Sequence, residues 1–230
     1  MAFDISLLHN LPLFQDMEPA AFSRLIKRAA VRNVLQDETV YAQGADATTV
    51  YLLLHGRLKV SQVTPDGQQV IIYVVHPGDL FGLAGVIARQ DYIGTARAAV
   101  ESSVISWPKA VWDRVMANDP LLAIKALQSI AQRLDEANAR LLEMSTQEVE
   151  QRVARTLLRL VDKAGRVDAC GIRIDFPLSR QDVAEMNGTT LHTVSRVFSS
   201  WEMRGLVEGG RQRLTVVDRD GLARIANPAN

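Results

Sequence analysis

The chain has 230 residues, of which 26 are Lys or Arg and 26 are Asp or Glu, so its formal net charge at pH 7 is zero. Because domains commonly contain about 100–150 residues, this length predicts about two domains. Because the net charge is zero, it gives no evidence that the protein binds nucleic acid. Residues 146–230, with 13 basic against 11 acidic side chains, carry only a slight basic excess, so evidence for such a partner must come from local clusters.

Cysteine content and hydropathy narrow the class of protein further. The single cysteine, Cys170, can form no disulfide within the chain and cannot by itself supply a Cys-rich zinc site or hold an iron–sulfur cluster. No apolar run approaches the ~20 residues that cross a bilayer, and the opening stretch MAFDISLLHNLPLF has no basic region ahead of its apolar one. We therefore expect a cytoplasmic protein with no membrane association.

The N-terminal part changes its hydrophobic period once. Residues 18–30 have helical apolar spacing and begin with the acidic Glu18, which predicts a short helix. From residue 31 to residue 108, alternating or β-branched stretches such as TVYLLLHGRLKVSQV and QVIIYVV are separated by glycine-containing turns. Many short strands at regular spacing predict a jelly-roll barrel, a double-stranded β-helix. The predicted fold class is therefore α+β, with a barrel domain at residues 1–117.

A heptad pattern occupies the next segment, which we assign as a dimerisation helix at residues 118–144. Intervals of three and four residues alternate along this seam, which consists of Ile124, Leu127, Ala131, Leu134, Asn138 and Leu141. Asn138 falls at an a position, where a buried polar pair would fix the register and favour a parallel dimer. The alternative is that the same stripe packs on the barrel of its own chain.

Residues 145–230 have the pattern of a winged helix-turn-helix domain. The string STQE offers Ser145 or Thr146 as the cap of a new helix that runs to Gly165. A polar loop through Cys170 and a short strand, IRIDF, are predicted to follow.

Two further helices and a wing are predicted after that strand. In LSRQDVAEMNGTTLHTVSRVFSSWEMRGLV, Ser179 is predicted to cap the first helix, Gly188 allows a sharp turn, and Thr189 or Thr190 is predicted to cap the second. The string LVEGGRQRLTVVD predicts a hairpin wing that turns at residues 209–210.

Outside its apolar stripe, the second of these helices carries side chains that are suited to contact DNA. Arg196 is the best candidate for a bidentate contact to guanine. The predicted base-reading residues are Leu191, His192, Ser195 and Arg196. The predicted phosphate-binding residues are Arg180, Thr189, Thr190, Thr193, Ser199, Arg211 and Arg213. No Ser-His-Asp set, paired-carboxylate pattern or metal-ligand cluster stands out, so we predict no enzymatic activity, although an enzyme or gas scavenger with this fold stays as an alternative.

The order of these segments resembles the CRP/FNR superfamily of bacterial transcription regulators over almost the whole chain. The resemblance lies in QGADATTVYLLLHGRLKV, HPGDLFG, the long helix, and LSRQDVAEMNGTTLHTVSRV with its wing. It implies a cyclic-nucleotide-binding-like barrel that senses an effector, a homodimer on a pseudo-palindromic operator in double-stranded DNA, and contact with RNA polymerase. A hinge near residues 144–146 is then expected to set the separation of the two recognition helices.

The recognition segment is most similar to that of the nitric-oxide-responsive NnrR branch, whose targets are denitrification genes. Ser195 and Arg196 match the residues that FNR-type readers use on a TTG-containing half-site, whereas His192 replaces the usual glutamate. The alternative is a regulator of the same family that responds to another small effector or to none.

The residues of the effector pocket depart from those of the members that bind cyclic AMP. Those members have a glutamate after the FG of the PGD motif, and an Arg-Ser or Arg-Thr pair further on. Here the matching positions are Leu83 after Gly82, and Gly94 before Thr95, while Arg97 is assigned to a strand. Without the arginine and the glutamate, the cyclic phosphate and the ribose lose their main partners, so cyclic AMP is not the expected effector.

By resemblance, the remaining effector class is a gas. The N-terminal cysteines of the cluster-type oxygen sensors are absent, so an iron–sulfur cluster is not expected. Haem is the candidate cofactor for binding nitric oxide, with His9, His55 and His76 as candidate ligands. The alternative for each is an ordinary surface or loop histidine.

Overall fold

The computed structural model describes residues 5–210 and 212–228. Contacts divide the chain into two compact units, one formed by Met1–Val63 with Val74–Glu136 and the other by Thr64–Tyr73 with Ala137–Asn230. In the described part of the chain, no helix is both long enough and apolar enough to cross a bilayer.

The first unit is built on a β-barrel, as the sequence predicts. Helix α1 spans Pro19–Ile26 and begins where the Glu18 carboxylate accepts hydrogen bonds from the backbone N–H groups of Ala20 and Ala21. The strands are β1 (Ala30–Val34), β2 (Thr39–Tyr41), β3 (Thr49–His55), β4 (Leu58–Val63), β5 (Gln69–Val75), β6 (Leu80–Phe81), β7 (Thr95–Ala98) and β8 (Ser102–Pro108). Short 3₁₀ helices span Ile5–Asn10 and Leu83–Ile87, and helix α2 spans Lys109–Asn118.

Two four-stranded sheets form the barrel, with strand orders β1-β8-β3-β6 and β2-β7-β4-β5. The alternation along β3 and β8 sends Leu52, Ile105 and Trp107 into a buried cluster that also includes Trp112 of α2. The Trp107 indole N–H donates to the Leu25 carbonyl at 3.0 Å, which satisfies its one polar atom inside the core. This cluster holds the helices against the barrel.

Helix α3 spans Pro120–Thr146 and presents two different faces. Leu122 and Ala126 are buried in the barrel cluster, and Ile130 packs against it. All six residues of the predicted seam lie outside that cluster and are solvent-exposed, with Leu127, Leu134 and Leu141 each 60–64% exposed. Within this unit, the seam residues Ile124, Leu127, Ala131 and Leu134 therefore do not pack on the described part of the barrel.

The predicted cap between α3 and the next helix is wrong. The Ser145 and Thr146 hydroxyls donate to the Leu141 and Leu142 carbonyls one turn earlier, at 2.9 and 2.8 Å, and so belong to the last turn of α3. A hydroxyl that bonds back in this way satisfies a carbonyl of its own helix and is not available as a cap. Helix α4 (Val149–Ala164) begins instead after Glu148.

The second unit continues with β9 (Gly165–Asp168), β10 (Gly171–Ile174), α5 (Arg180–Asn187), α6 (Leu191–Met203), β11 (Val207–Gly210), β12 (Arg213–Val216) and α7 (Arg219–Ala226). Its four strands form one sheet in the order β11-β12-β10-β9. The segment through Cys170, predicted as a polar loop, is the hairpin of β9 and β10. All four residues of β9 are exposed, so no alternation of apolar side chains marked it as a strand.

The wing of the second unit also differs in detail from the prediction. Gly209 and Gly210, the predicted turn, pair with Leu214 and Arg213 inside the β11–β12 ladder. The turn therefore follows Gly210, and Gln212 in it has a positive φ of 59°. Arg211, a predicted phosphate ligand, lies outside the described residues.

Candidate nucleic-acid interface

Local capping contacts fix the two helices of the predicted helix-turn-helix. The Ser179 hydroxyl accepts from the Asp182 N–H at 3.0 Å, and the Asp182 carboxylate accepts from the Ser179 N–H at 2.7 Å. Thr190 caps α6 by accepting from the Thr193 N–H at 3.2 Å. Between the helices, Gly188 has φ +58°, a left-handed conformation that a side chain would strain. The predicted caps at Ser179 and Thr190 are confirmed.

One face of α6 is anchored in the second unit. Val194, Phe198 and Trp201 are buried, and the Phe198 and Trp201 rings stack with centroids 5.9 Å apart. The Trp201 indole N–H donates to the Glu150 carboxylate of α4 at 2.7 Å. These contacts hold the opposite face of α6 toward solvent.

That opposite face carries two of the predicted base-reading residues, His192 and Arg196, and one predicted phosphate ligand, Ser199. His192, Arg196 and Ser199 are exposed and spaced by four and three residues, so they form one line along the helix. We call these three residues the reading ridge. Leu191, 47% exposed, and the half-buried Ser195 flank it at the N-terminal end. Met203, 85% exposed, continues the ridge four residues beyond Ser199; the helical spacing predicts its place on this face, although Met203 is not among the predicted DNA-contacting residues.

Several predicted phosphate ligands are already engaged within the protein. The Arg180 guanidinium donates to the Glu202 carboxylate at 2.8 Å and lies 5.6 Å from the centre of the Phe198 ring. The Thr190 and Thr193 hydroxyls lie 2.9 Å apart in a mutual hydrogen bond. Arg180 therefore braces α5 against α6, and both threonines support the start of α6.

The predicted pocket residues occupy structural positions in the barrel. Gly82 has φ +69°, and a Cβ atom there would lie 2.8 Å from the Tyr51 ring. Leu83 and Gly94 are buried, while the Thr95 hydroxyl accepts from the Gln43 N–H at 3.0 Å. Arg97 lies on β7 with an exposed side chain, in agreement with its assignment to a strand.

An aromatic stack beside Gly82 was not found from the sequence. The ring centroids of Phe81 and Tyr51 are 5.2 Å apart, those of Tyr51 and Tyr41 are 5.6 Å apart, and those of Tyr41 and Tyr92 are 3.9 Å apart. The Tyr92 hydroxyl donates to the Thr49 carbonyl at 2.7 Å. Burial raises the pKa of the Tyr92 phenol above its ordinary value.

The three candidate haem ligands lie in different settings. His9 packs edge-on against Phe22, with ring centroids 5.0 Å apart. His55 is exposed at the end of β3, and the half-buried His76 donates its backbone N–H to the Asp79 carboxylate at 2.8 Å. In the described part of the chain, no group of three or more His, Cys, Asp or Glu side chains could hold a metal ion.

Comparison with known domain families gives two matches, one in each half of the chain. Residues 31–119 match the cyclic nucleotide-binding domain. Residues 151–225 match the Crp-like helix-turn-helix domain. The second match covers α5, α6 and both strands of the wing.

Two characterised regulators are similar over nearly the full chain. The transcriptional activator protein FnrA of Stutzerimonas stutzeri is 27% identical over 222 residues, which cover 95% of this chain and 89% of that protein. The CRP-like cAMP-activated global transcriptional regulator of Mycobacterium tuberculosis H37Rv is 24% identical over 220 residues, which cover 96% of this chain and 98% of that protein.

Solved structures of similar proteins have the same fold. FixK2 from Bradyrhizobium japonicum has a TM-score of 0.76 at 25% identity, covering 88% of this chain and 99% of that one. A CRP-family transcriptional regulator from Thermus thermophilus has a TM-score of 0.74 at 27% identity, covering 86% of this chain and 97% of that one.

Proposed function

Because the chain belongs to the CRP/FNR family of transcription regulators, we propose that it binds a pseudo-palindromic operator with TTG-type half-sites as a homodimer. The observation that carries this proposal is the reading ridge, an exposed polar face on a helix whose other face is anchored by Phe198 and Trp201. Such a helix can enter the major groove without disturbing its own core. A role on DNA implies a cytoplasmic protein, and the family implies RNA polymerase as a further partner.

Within a half-site, residues in the N-terminal part of α6 would contact the base edges. Arg196 would donate two hydrogen bonds to the guanine of TTG, and His192 and Ser195 would contact neighbouring base edges. Leu191 is suited to apolar contact with a thymine methyl group. Backbone contacts would come from Thr189, Thr190, Thr193, Ser199, Arg180, Arg211 and Arg213. The ion pair with Glu202 would leave Arg180 with fewer donors for a phosphate than a guanidinium without such a partner.

The homodimer would form through the seam on α3. Four large apolar side chains, Ile124, Leu127, Leu134 and Leu141, are 50–64% exposed along one face of a single helix. A contiguous apolar face of this kind is typical of an interaction surface, and its heptad spacing matches a two-stranded coiled coil. We assign residues 1–117 to effector sensing, 118–144 to dimerisation and 145–230 to DNA binding.

The DNA-reading proposal is tested with a duplex that carries two inverted TTG half-sites. Replacing Arg196 by Ala should remove the discrimination of that guanine, worth about 1–3 kcal/mol or roughly 5- to 150-fold in affinity. Binding is measured by fluorescence anisotropy against the same duplex with the guanine changed. Arg24→Ala, at an exposed position of α1 in the other unit, is the control and should keep wild-type discrimination. Equal affinity of the wild type for TTG and scrambled duplexes would refute the proposal.

For the effector, we propose nitric oxide or related nitrogen oxides, with denitrification genes as targets. Support comes from the similarity of TTLHTVSR to the NnrR branch and from the residues at the pocket positions: Leu83 and Gly94 offer neither a carboxylate for a ribose nor a cation for a cyclic phosphate. The alternative is another small effector or none. Cyclic AMP, named for the mycobacterial relative, is the competitor to exclude.

An anaerobic titration of purified protein with haem tests the gas-sensing proposal. A sharp endpoint at one haem per subunit, with an absorption spectrum that shifts on adding nitric oxide, is the expected result. Replacing His9, His55 and His76 one at a time would then identify the axial ligand. A broad titration that does not saturate, together with operator binding that nitric oxide leaves unchanged, would overturn the effector assignment and leave the DNA-reading proposal intact.

A further inference from the structure

A chain of polar contacts links the last turns of α3 to the turn between α5 and α6. Glu143, with a side chain only 10% exposed, accepts hydrogen bonds from both terminal nitrogens of Arg159, at 2.6 and 3.0 Å. Arg159 also donates to the Thr156 hydroxyl at 3.3 Å. That hydroxyl donates to the Asn187 side-chain oxygen at 3.0 Å. Asn187 ends α5 and directly precedes the turn residue Gly188.

Other contacts follow the same route. The Met144 methyl carbon lies 3.0 Å from the position that a Cβ atom would take at Gly188. Arg152 of α4 donates to the Gln147 carbonyl at 2.8 Å and to the Asn187 carbonyl at 3.4 Å. The end of α3 is therefore held against α4 and the turn at several points, and residues 137–146 belong to the same compact unit as the helix-turn-helix.

Because this network is buried, its polar groups are stable only in positions that keep them hydrogen-bonded. Glu143, Thr156 and Asn187 are 8%, 7% and 3% exposed, and buried polar groups are costly unless they are paired. A bidentate Arg–carboxylate contact fixes the relative orientation of the two side chains as well as their distance. Such a network specifies one angle between α3 and α4, where apolar packing alone would tolerate several.

We propose that Glu143 is a positioning residue for DNA reading: through Arg159, Thr156 and Asn187 it sets the angle between α3 and the reading ridge. The last ten residues of α3 would then move with the helix-turn-helix as one body. The inference rests on the proposed function, since it concerns a homodimer that reads two half-sites.

The test is the dependence of DNA binding on half-site spacing, which an effect on stability alone would not change. Wild type and Glu143→Gln are titrated, well below their melting temperatures, against duplexes whose two TTG half-sites differ in separation by one or two base pairs. The amide turns one acceptor oxygen into a donor group and removes the charge, so the bidentate contact is lost. The wild type should prefer one spacing. In the variant, the ratio of affinities between the preferred spacing and the others should fall about fivefold or more, since coupling between two sites commonly changes an affinity by at least about fivefold. Discrimination of the half-site guanine should stay at the wild-type level.

Two further variants keep the proposal refutable. Asp162→Asn removes a half-exposed carboxylate of α4, the helix that carries Arg159 and Thr156, where it pairs with Arg219 at 2.9 Å; this variant should keep the wild-type spacing preference. Thr156→Val cuts the link to Asn187 without touching Glu143, and is used if Glu143→Gln does not fold. If the wild type binds paired half-sites without preferring one spacing, or if each network variant that folds keeps the wild-type preference, the positioning role is wrong. If the wild type binds no paired half-sites at all, the proposed function itself fails.

Discussion

At the scale of single residues, His192 is the position at which the proposed reading helix differs from the FNR-type readers that it resembles, which have a glutamate there. A glutamate at this position can only accept hydrogen bonds, and it suits the amino group of cytosine. A neutral imidazole offers one donor and one acceptor, and the protonated form offers two donors. His192 is exposed one helical turn before Arg196, so it would supply a donor beside the guanine contact. That donor suits the N7 acceptor of a purine.

Exchanging the two side chains should therefore exchange the base preference. We expect the wild type to favour a purine at the position that follows the guanine of TTG, and His192→Glu to favour a cytosine there, with a change of about 1–3 kcal/mol in the difference between the two duplexes. Binding to duplexes with all four bases at that position measures this. Arg196→Ala serves as the control, because it should affect the guanine position alone. A His192→Glu variant with the wild-type order of bases would show that His192 does not read this position.

Contacts between side chains close together in the sequence could be predicted, whereas contacts between residues far apart in the sequence could not. The caps at Ser179 and Thr190 were predicted because each side chain bonds to an N–H three residues away. The Arg180–Glu202 pair joins residues 22 positions apart, and the aromatic stack at Gly82 draws on separate strands and loops. No local pattern marks such partners, because the tertiary fold alone brings them together.

At the scale of elements, α3 carries the dimer proposal. Its inner face is buried in the barrel cluster while the seam residues are exposed, so the helix has a second apolar face that no described part of the chain covers. A lysine in the middle of that seam would place a charge where two apolar surfaces meet, and an unpaired buried charge is strongly unfavourable.

Leu134→Lys should therefore yield monomers of about 25 kDa in place of dimers of twice that mass, as measured by light scattering. Gln132→Lys puts the same charge at an exposed position of α3 outside the seam and should stay dimeric. Persistence of the dimer in the Leu134 variant, with the helical content unchanged, would locate the interface elsewhere.

Elements with a clear period were predicted better than those without one. The barrel strands, α3 and the two helices of the helix-turn-helix have strong alternation or helical spacing, and the structure confirms them. Strand β9 has no buried residue, and the end of α3 depends on two hydroxyls that bond back into their own helix. In both cases the missing information is a hydrogen bond, to a neighbouring strand or to an earlier turn, that residue type alone does not reveal.

At the scale of the whole molecule, the order of domains followed from the sequence but the division into compact units did not. Residues 64–73, which form the turn after β4 and the first five residues of β5, group with the C-terminal unit. The Gln69 amide donates to the Glu185 carboxylate of α5 at 2.9 Å, and Arg140 donates to the Ile72 carbonyl. The boundary also falls inside the continuous helix α3, where no change in composition marks it. The grouping of residues 64–73 with the C-terminal unit and the boundary within α3 both depend on contacts between segments that are far apart in the sequence.

The exposed Cys170, at the turn of the β9–β10 hairpin, gives the protein a built-in attachment point for spectroscopy. It is the only cysteine in the chain, so a thiol-specific spin label would modify each protomer once without any mutagenesis. The hairpin is paired through β10 to the sheet that contains the wing, so the label would report on the part of the molecule that meets DNA. In a dimer, pulsed electron paramagnetic resonance between the two labels would then measure how far apart the two DNA-binding domains stand in each condition.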